Sequence, residues 1–107
     1  MDFNEIKKEV KNITFETLRM DSDSRFEAVM VKDGLANLTA ILERFFGLPA
    51  WPSQSEMSPQ VEEIINGFGG IMPDQTLYFW SQGSDTILAM LWPWQDGMHI
   101  TVKIIKK

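Results

Sequence analysis

The chain holds one histidine, His99, and proton transfer or metal binding would have to start there. Asp96 lies three positions before it, across a turn, and a carboxylate so placed can orient an imidazole. Ser81 and Ser84 carry hydroxyls that a hydrolytic triad would need. Both flank one tight turn, however, and Asp96-Gly97 makes the next, so serines and carboxylate are expected at opposite ends of the strand between them. His99 is therefore expected to be a strand residue stacked on Trp94, and the chain is not expected to be an enzyme.

Other chemistry-bearing patterns fail on their own terms. The run from Asp21 opens like a calcium loop. Phe26 sits where the bend needs glycine, and Lys32 sits where a bidentate glutamate should close the shell. Asp21 and Asp23 are expected at the polar tip of a hairpin. Asn66 to Gly70 is glycine-rich but follows a helix, whereas a phosphate cradle precedes one. Glu62 and Glu63 are adjacent on that helix and diverge. Cysteine is absent, which excludes disulfides, zinc–thiolate sites and thiol catalysis. No metal or other cofactor is expected.

The 107 residues suit one α+β domain with a self-sufficient core, and 44% hydrophobic with 23% charged is ordinary for a globular chain. The net charge is −5, and between Phe45 and Val102 there is no lysine or arginine. All four tryptophans fall in that span. Nucleic-acid binding needs cations along the phosphates, so it is set aside. The N-terminus lacks an apolar leader and no run approaches the ~20 residues that cross a bilayer, so a cytoplasmic protein without membrane contact is expected.

The elements that must position these residues follow from periodicity. Phe3, Ile6, Val10 and Ile13 recur at helical spacing. A hairpin follows, in which Phe26, Ala28 and Met30 share a face. Asp33 is placed to cap a helix carrying Leu35, Leu38, Leu42 and Phe45, which Gly47 and Pro49 end. Ser58 and Pro59 start a third helix, with Val61, Ile64, Ile65 and Phe68 on its buried side. Three strands end the chain. The order α-β-β-α-α-β-β-β predicts an antiparallel sheet of four to five strands, an N-terminal hairpin plus a C-terminal meander, with two to three helices packed on one face.

Two-residue turns at Gly83-Ser84 and Asp96-Gly97 fix the meander's register. Trp80 then opposes Ile87, Tyr78 opposes Ala89, Trp94 opposes His99 and Trp92 opposes Thr101. One face gathers Tyr78, Trp80, Ile87, Ala89, Leu91, Ile100, Val102 and Ile104, which should lie under the helices. The other is mixed: Leu77, Phe79, Leu88, Met90, Trp92 and Trp94 stand beside His99, Thr101 and Lys103. Pro93, lacking an N–H, is expected to fray the pairing near the turn. The mixed face is either a binding surface, a face covered by the N-terminal hairpin or first helix, or a dimer contact. Seven methionines, Met72, Met90 and Met98 among them, would either fill gaps in the core or add adaptable apolar surface.

Phe45 to Pro49 (FFGLP), followed after a helix by Asn66 to Gly70 (NGFGG) and then by strands, resembles the SUKH family of immunity proteins over residues 45–70. The N-terminal hairpin has no place in that pattern. The resemblance implies an α+β fold and a toxin-neutralising role.

From the residues themselves the first expectation is a non-enzymatic interaction module. Its surface is Trp92, Trp94 and His99, rimmed by Asp96, Phe79 and Thr101, and it would bind a basic partner protein or a second copy. The alternative is a small-molecule-binding protein or minor enzyme with a pocket between the sheet and the 48–57 connector, walled by Trp51 and Trp80.

Overall fold

The computed structural model describes residues 1–51, 59–67 and 74–107. Helix α1 spans Phe3–Val10, strands β1 and β2 span Thr17–Asp21 and Arg25–Val31, and helix α2 spans Leu35–Phe46. Helix α3 (Pro59–Asn66) precedes strands β3 (Thr76–Gln82), β4 (Asp85–Pro93) and β5 (His99–Lys106). The five strands form one antiparallel sheet in the order β1-β2-β5-β4-β3. This is the α+β architecture and element order that the periodicity predicts. The expected Ser58 cap, Phe68 and the glycines after it lie outside the described residues.

Local chemistry sets the helix ends. The Asp2 carboxylate accepts from the Asn4 amide at 2.9 Å and starts α1. The α1 pattern stops at Val10, because Asn12 and Ile13 donate three residues back, to Glu9 and Val10, and tighten the chain out of the helix. Asp33 does not cap α2: it lies in a 3-10 turn, Lys32–Gly34, and Gly34 takes the N-cap position without a side-chain bond. A Cβ on Gly34 would stand 2.9 Å from the Met30 methyl, so a larger residue there would require the end of that side chain to shift. Gly47, at φ +79°, ends α2 as expected.

Strand alternation separates two apolar layers. Tyr78, Ile87, Ala89, Leu91, Ile100, Val102 and Ile104 face one way, and Phe26, Ala28 and Met30 extend that face across β2. Phe3, Ile6 and Val10 of α1 and Leu38 and Leu42 of α2 close over it. On the opposite face Leu77, Leu88, Met90 and Ile105 pack with Ile65 of α3, flanked by Val61, Ile64, Ala50 and Trp51. Two helices thus cover the expected face and the third covers part of the other. The N-terminal elements do not cover the mixed face: the hairpin continues the sheet sideways through β2 and β5, and α1 packs on the far side.

Ile65 is the one fully buried residue among the described side chains of α3. Ile65→Ala should lower stability by about 2–5 kcal/mol. In a domain of this size each kcal/mol moves the melting midpoint by about 4–8 °C. Leu18→Ala, at a position 57% exposed, should move the midpoint little. Equal melts for the two variants would contradict the docking of α3 on the sheet.

Candidate functional site

The β4–β5 hairpin builds the site. Trp92 opposes Thr101, and the Trp94 amide donates to the His99 carbonyl at 2.9 Å. The expected register therefore holds, but the loop is wider than a two-residue turn. The Gly97 amide donates to the Trp94 carbonyl at 3.2 Å, Gly97 adopts φ +70°, and Gln95 to Met98 form the connection. The Asp96 carboxylate closes it, accepting from the Met98 amide at 2.8 Å and the His99 amide at 3.1 Å. Side-chain capping by Asp96 is what lets four residues act as a fixed corner.

Pairing does not fray at Pro93. Hydrogen-bonded and non-hydrogen-bonded pairs alternate along an antiparallel ladder. Since Trp94 and His99 form a bonded pair, Pro93 and Ile100 form the unbonded one. The missing proline N–H thus takes no bond from β5, and β3, which pairs only as far as Leu91, offers none at that height.

His99 is clasped on both sides. Its Nδ1 lies 2.6 Å from Asp96 Oδ2 and its Nε2 lies 2.8 Å from Glu16 Oε2. A neutral imidazole has one N–H donor, so two carboxylates at hydrogen-bond distance call for the imidazolium, with both nitrogens donating. The Asp96 hydrogen bond, and after it Glu16, raise the His99 pKa above its ordinary value of 6.5. The Met98 amide, and then the His99 ring, hold Asp96 below its ordinary 3.8. Glu16 is 83 residues away in sequence and is positioned by its own backbone, whose amide donates to the Val29 carbonyl at 2.9 Å. Val31 pairs with His99 on the adjoining strand, which places β1's entry within reach of the ring.

Trp94 lies beside this clasp. Its ring centroid is 4.9 Å from that of His99, the stacking expected from sequence. Its indole N–H donates to Thr101 Oγ1 at 2.8 Å, and the Arg19 guanidinium stands 5.9 Å from the ring centroid. The residue nevertheless keeps 39% of its surface exposed. The ladder continues along the same face, where Lys103 Nζ sits 3.6 Å from the Trp92 ring centroid and pairs with Glu27 at 3.7 Å. Glu27 also takes Arg19 at 3.6 Å. Trp92 itself leans into the α3 layer, half-buried. Around the end of the sheet an apolar depression of about 200 Å³ is lined by Leu35, Pro93, Trp94, Gly97 and Ile100, with Lys32 and His99 at its edge.

The structure thus brings together Trp92, Trp94, Asp96, His99 and Thr101. It removes Phe79 from the group: Phe79 pairs with Leu88, four residues or about 13 Å along the strand from Trp92, inside the α3 layer. Trp51 and Trp80, expected as walls of one pocket, lie on opposite faces of the sheet: Trp51 bridges Leu77 and packs with the α3 layer, while Trp80 packs on the other face. Most of the 48–57 connector is outside the described residues. Ser81 bonds Thr86 at the far turn, away from His99. Asp21 faces α1 and pairs with Lys7 and Lys11. Glu16, Arg19 and Glu27 join the site without having been expected there.

The clasp gives a pH dependence. A raised His99 pKa contributes stability that is complete below 6.5 and is lost as pH climbs through the folded value. A lowered Asp96 pKa contributes stability present above 3.8 and lost as pH falls through the folded value. A melt series should therefore show the midpoint falling above pH 6.5 in the parent and much less in His99→Gln. The His99 ring should titrate above 6.5 by NMR, and Glu16→Gln should lower that titration. A parent ring titrating at or below 6.5 would contradict the clasp.

A scan of protein-family models, a search of curated proteins and a search of solved structures each find no match to the chain, so the resemblance over residues 45–70 stands on its motif alone.

Proposed function

We propose that this protein is a non-enzymatic binding module that engages a partner protein through the Trp94 end of its sheet. One observation carries the reading: an indole that is 39% exposed is held at its N–H by Thr101 and along its ring by His99. An aromatic that is ordered before binding loses little side-chain entropy on contact, and such residues act as interface hot spots. The apolar depression beside it, about 200 Å³, is of a size to receive an aliphatic side chain.

The chemistry of the site favours binding over catalysis. Both ring nitrogens of His99 are engaged by carboxylates, which leaves no lone pair for a general base or a metal. The hydroxyl of Thr101 already accepts from Trp94. Glu16 and Asp96 on the rim, with a net charge of −5, favour a basic partner and speed its approach at low salt. A toxin, the kind of target that the resemblance over residues 45–70 implies, fits that description if it is basic.

No helix among the described residues is long and apolar enough to cross a membrane. We place the protein in the cytoplasm, where a cysteine-free chain is at no disadvantage.

Trp94→Ala tests the proposal. A fully buried tryptophan cut to alanine costs about 3–5 kcal/mol, or at least about 12 °C in the midpoint. The expected loss here is about 1 kcal/mol, mainly the Thr101 hydrogen bond. Immobilised parent protein should retain a partner from the source-cell lysate, and the folded variant should not. Added salt should slow that capture. A variant that melts like a core deletion, or one that retains the same partner as the parent, would overturn the reading.

A further inference from the structure

A second depression adjoins the Trp94 surface. It lies where the chain leaves α1, enters β1 and turns from β2 into α2, and it measures about 410 Å³. Asn12, Thr14, Glu16, Asp33 and Asn37 give it a polar lining. The two depressions flank the 3-10 turn: Lys32 and Leu35 border the apolar one, Asp33 and Gly34 the polar one. The Glu16–His99 hydrogen bond joins their rims. We infer that the polar depression receives an arginine side chain of the partner protein that the Trp94 surface engages. This inference deepens the partner-binding reading and rests on it.

The backbone fixes the walls. The Asn12 amide donates to the Glu9 carbonyl at 3.1 Å and the Ile13 amide to the Val10 carbonyl at 3.0 Å. The Glu16 amide is held by Val29 at 2.9 Å, and the Lys32 amide donates to the Met98 carbonyl at 2.8 Å. Ile13 closes on the 3-10 turn, where its methyl would stand 3.7 Å from a Cβ at Gly34. The exit of α1 and the entry to α2 therefore hold their polar side chains around one space without spending those side chains to do so.

The lining is free to bind. Among the described residues the side chains of Asn12, Thr14, Asp33 and Asn37 make no hydrogen bond and no ion pair. Glu16 engages His99 through Oε2, and an ionised carboxylate has acceptor sites to spare. No lysine or arginine among the described residues lines the space. Lys32 borders the other depression, Lys11 pairs with Asp21, and the His99 charge is met by Asp96 and Glu16. The space is therefore negative, and all five of its polar side chains can present an acceptor oxygen. A guanidinium carries five N–H donors in a planar, weakly hydrated fork, whereas an ammonium is a compact and strongly hydrated point charge. Acceptors spread around a depression suit the fork, and a net charge of −5 favours the approach of a partner that carries it.

Titration of the full chain with N-acetylarginine amide, followed by amide NMR, tests the site. The Thr14, Asp33 and Asn37 signals should shift and saturate. N-acetylcitrulline amide, the neutral isostere, should not reproduce the shifts, and N-acetyllysine amide should bind more weakly. Asp33→Asn should raise the Kd for the arginine compound about fivefold, the upper range for an exposed ion pair. Its melting midpoint should stay at the parent's, because the Asp33 carboxylate has no partner to lose among the described residues. Shifts that rise without saturation, equal binding of the citrulline or lysine compound, or an unchanged Kd in folded Asp33→Asn would overturn the inference. These readouts use neither Trp94 nor a captured partner, so failure of the arginine site and failure of the Trp94 reading are separate results.

Discussion

Strand β5 is hydrogen-bonded on both sides, to β2 along Arg25–Val31 and to β4 along Ile87–Pro93. Everything else depends on that register. It joins the N-terminal hairpin to the C-terminal meander, although the two are separated in sequence by α2 and α3. It also decides which side chains enter the helix-covered core. A shift of one residue would send Ile100, Val102 and Ile104 to the other face and bring His99, Thr101 and Lys103 into the core. Burying those polar groups without partners would cost several kcal/mol, so the alternation of β5 admits one arrangement.

The same register gathers the polar ladder on the opposite face. Thr101 stands where it can take the Trp94 indole, and His99 stands where it meets Asp96 from the turn and Glu16 from the entry to β1. Each bond is modest by itself, since exposed ion pairs are weakened by solvent. Their joint effect is geometric. They hold a half-exposed tryptophan in one orientation at the end of a sheet whose middle is already rigid. The resulting surface has aromatic area, a mixed-charge rim and no free imidazole nitrogen, a combination suited to recognition.

Much of this was legible in the sequence, and the reasons are local. Gly83-Ser84 and Asp96-Gly97 set the meander's pairing, and pairing sets the faces, so Trp92, Trp94, Asp96, His99 and Thr101 could be grouped without coordinates. What escaped were relations that no local pattern encodes. Glu16 reaches His99 only because β2 pairs with β5, a long-range choice. Phe79 shares a face with Trp92, but alternation gives a face and not a distance along it. Trp51 and Trp80 read from sequence as walls of one pocket because no local pattern gives the connector's path, but the sheet stands between them. Asp33 has a good capping side chain, yet the tight turn before α2 hands that position to Gly34.

The central claim is that His99 is an imidazolium clasped by Asp96 and Glu16, and that this clasp orders the Trp94 surface. The most direct measurement is the nitrogen-15 NMR spectrum of the His99 ring at pH 6.5, its ordinary pKa. A ring protonated on both nitrogens in more than half of the molecules is predicted. A ring that is half neutral or more at that pH would mean that the two carboxylates do not hold the imidazolium, and would contradict the account.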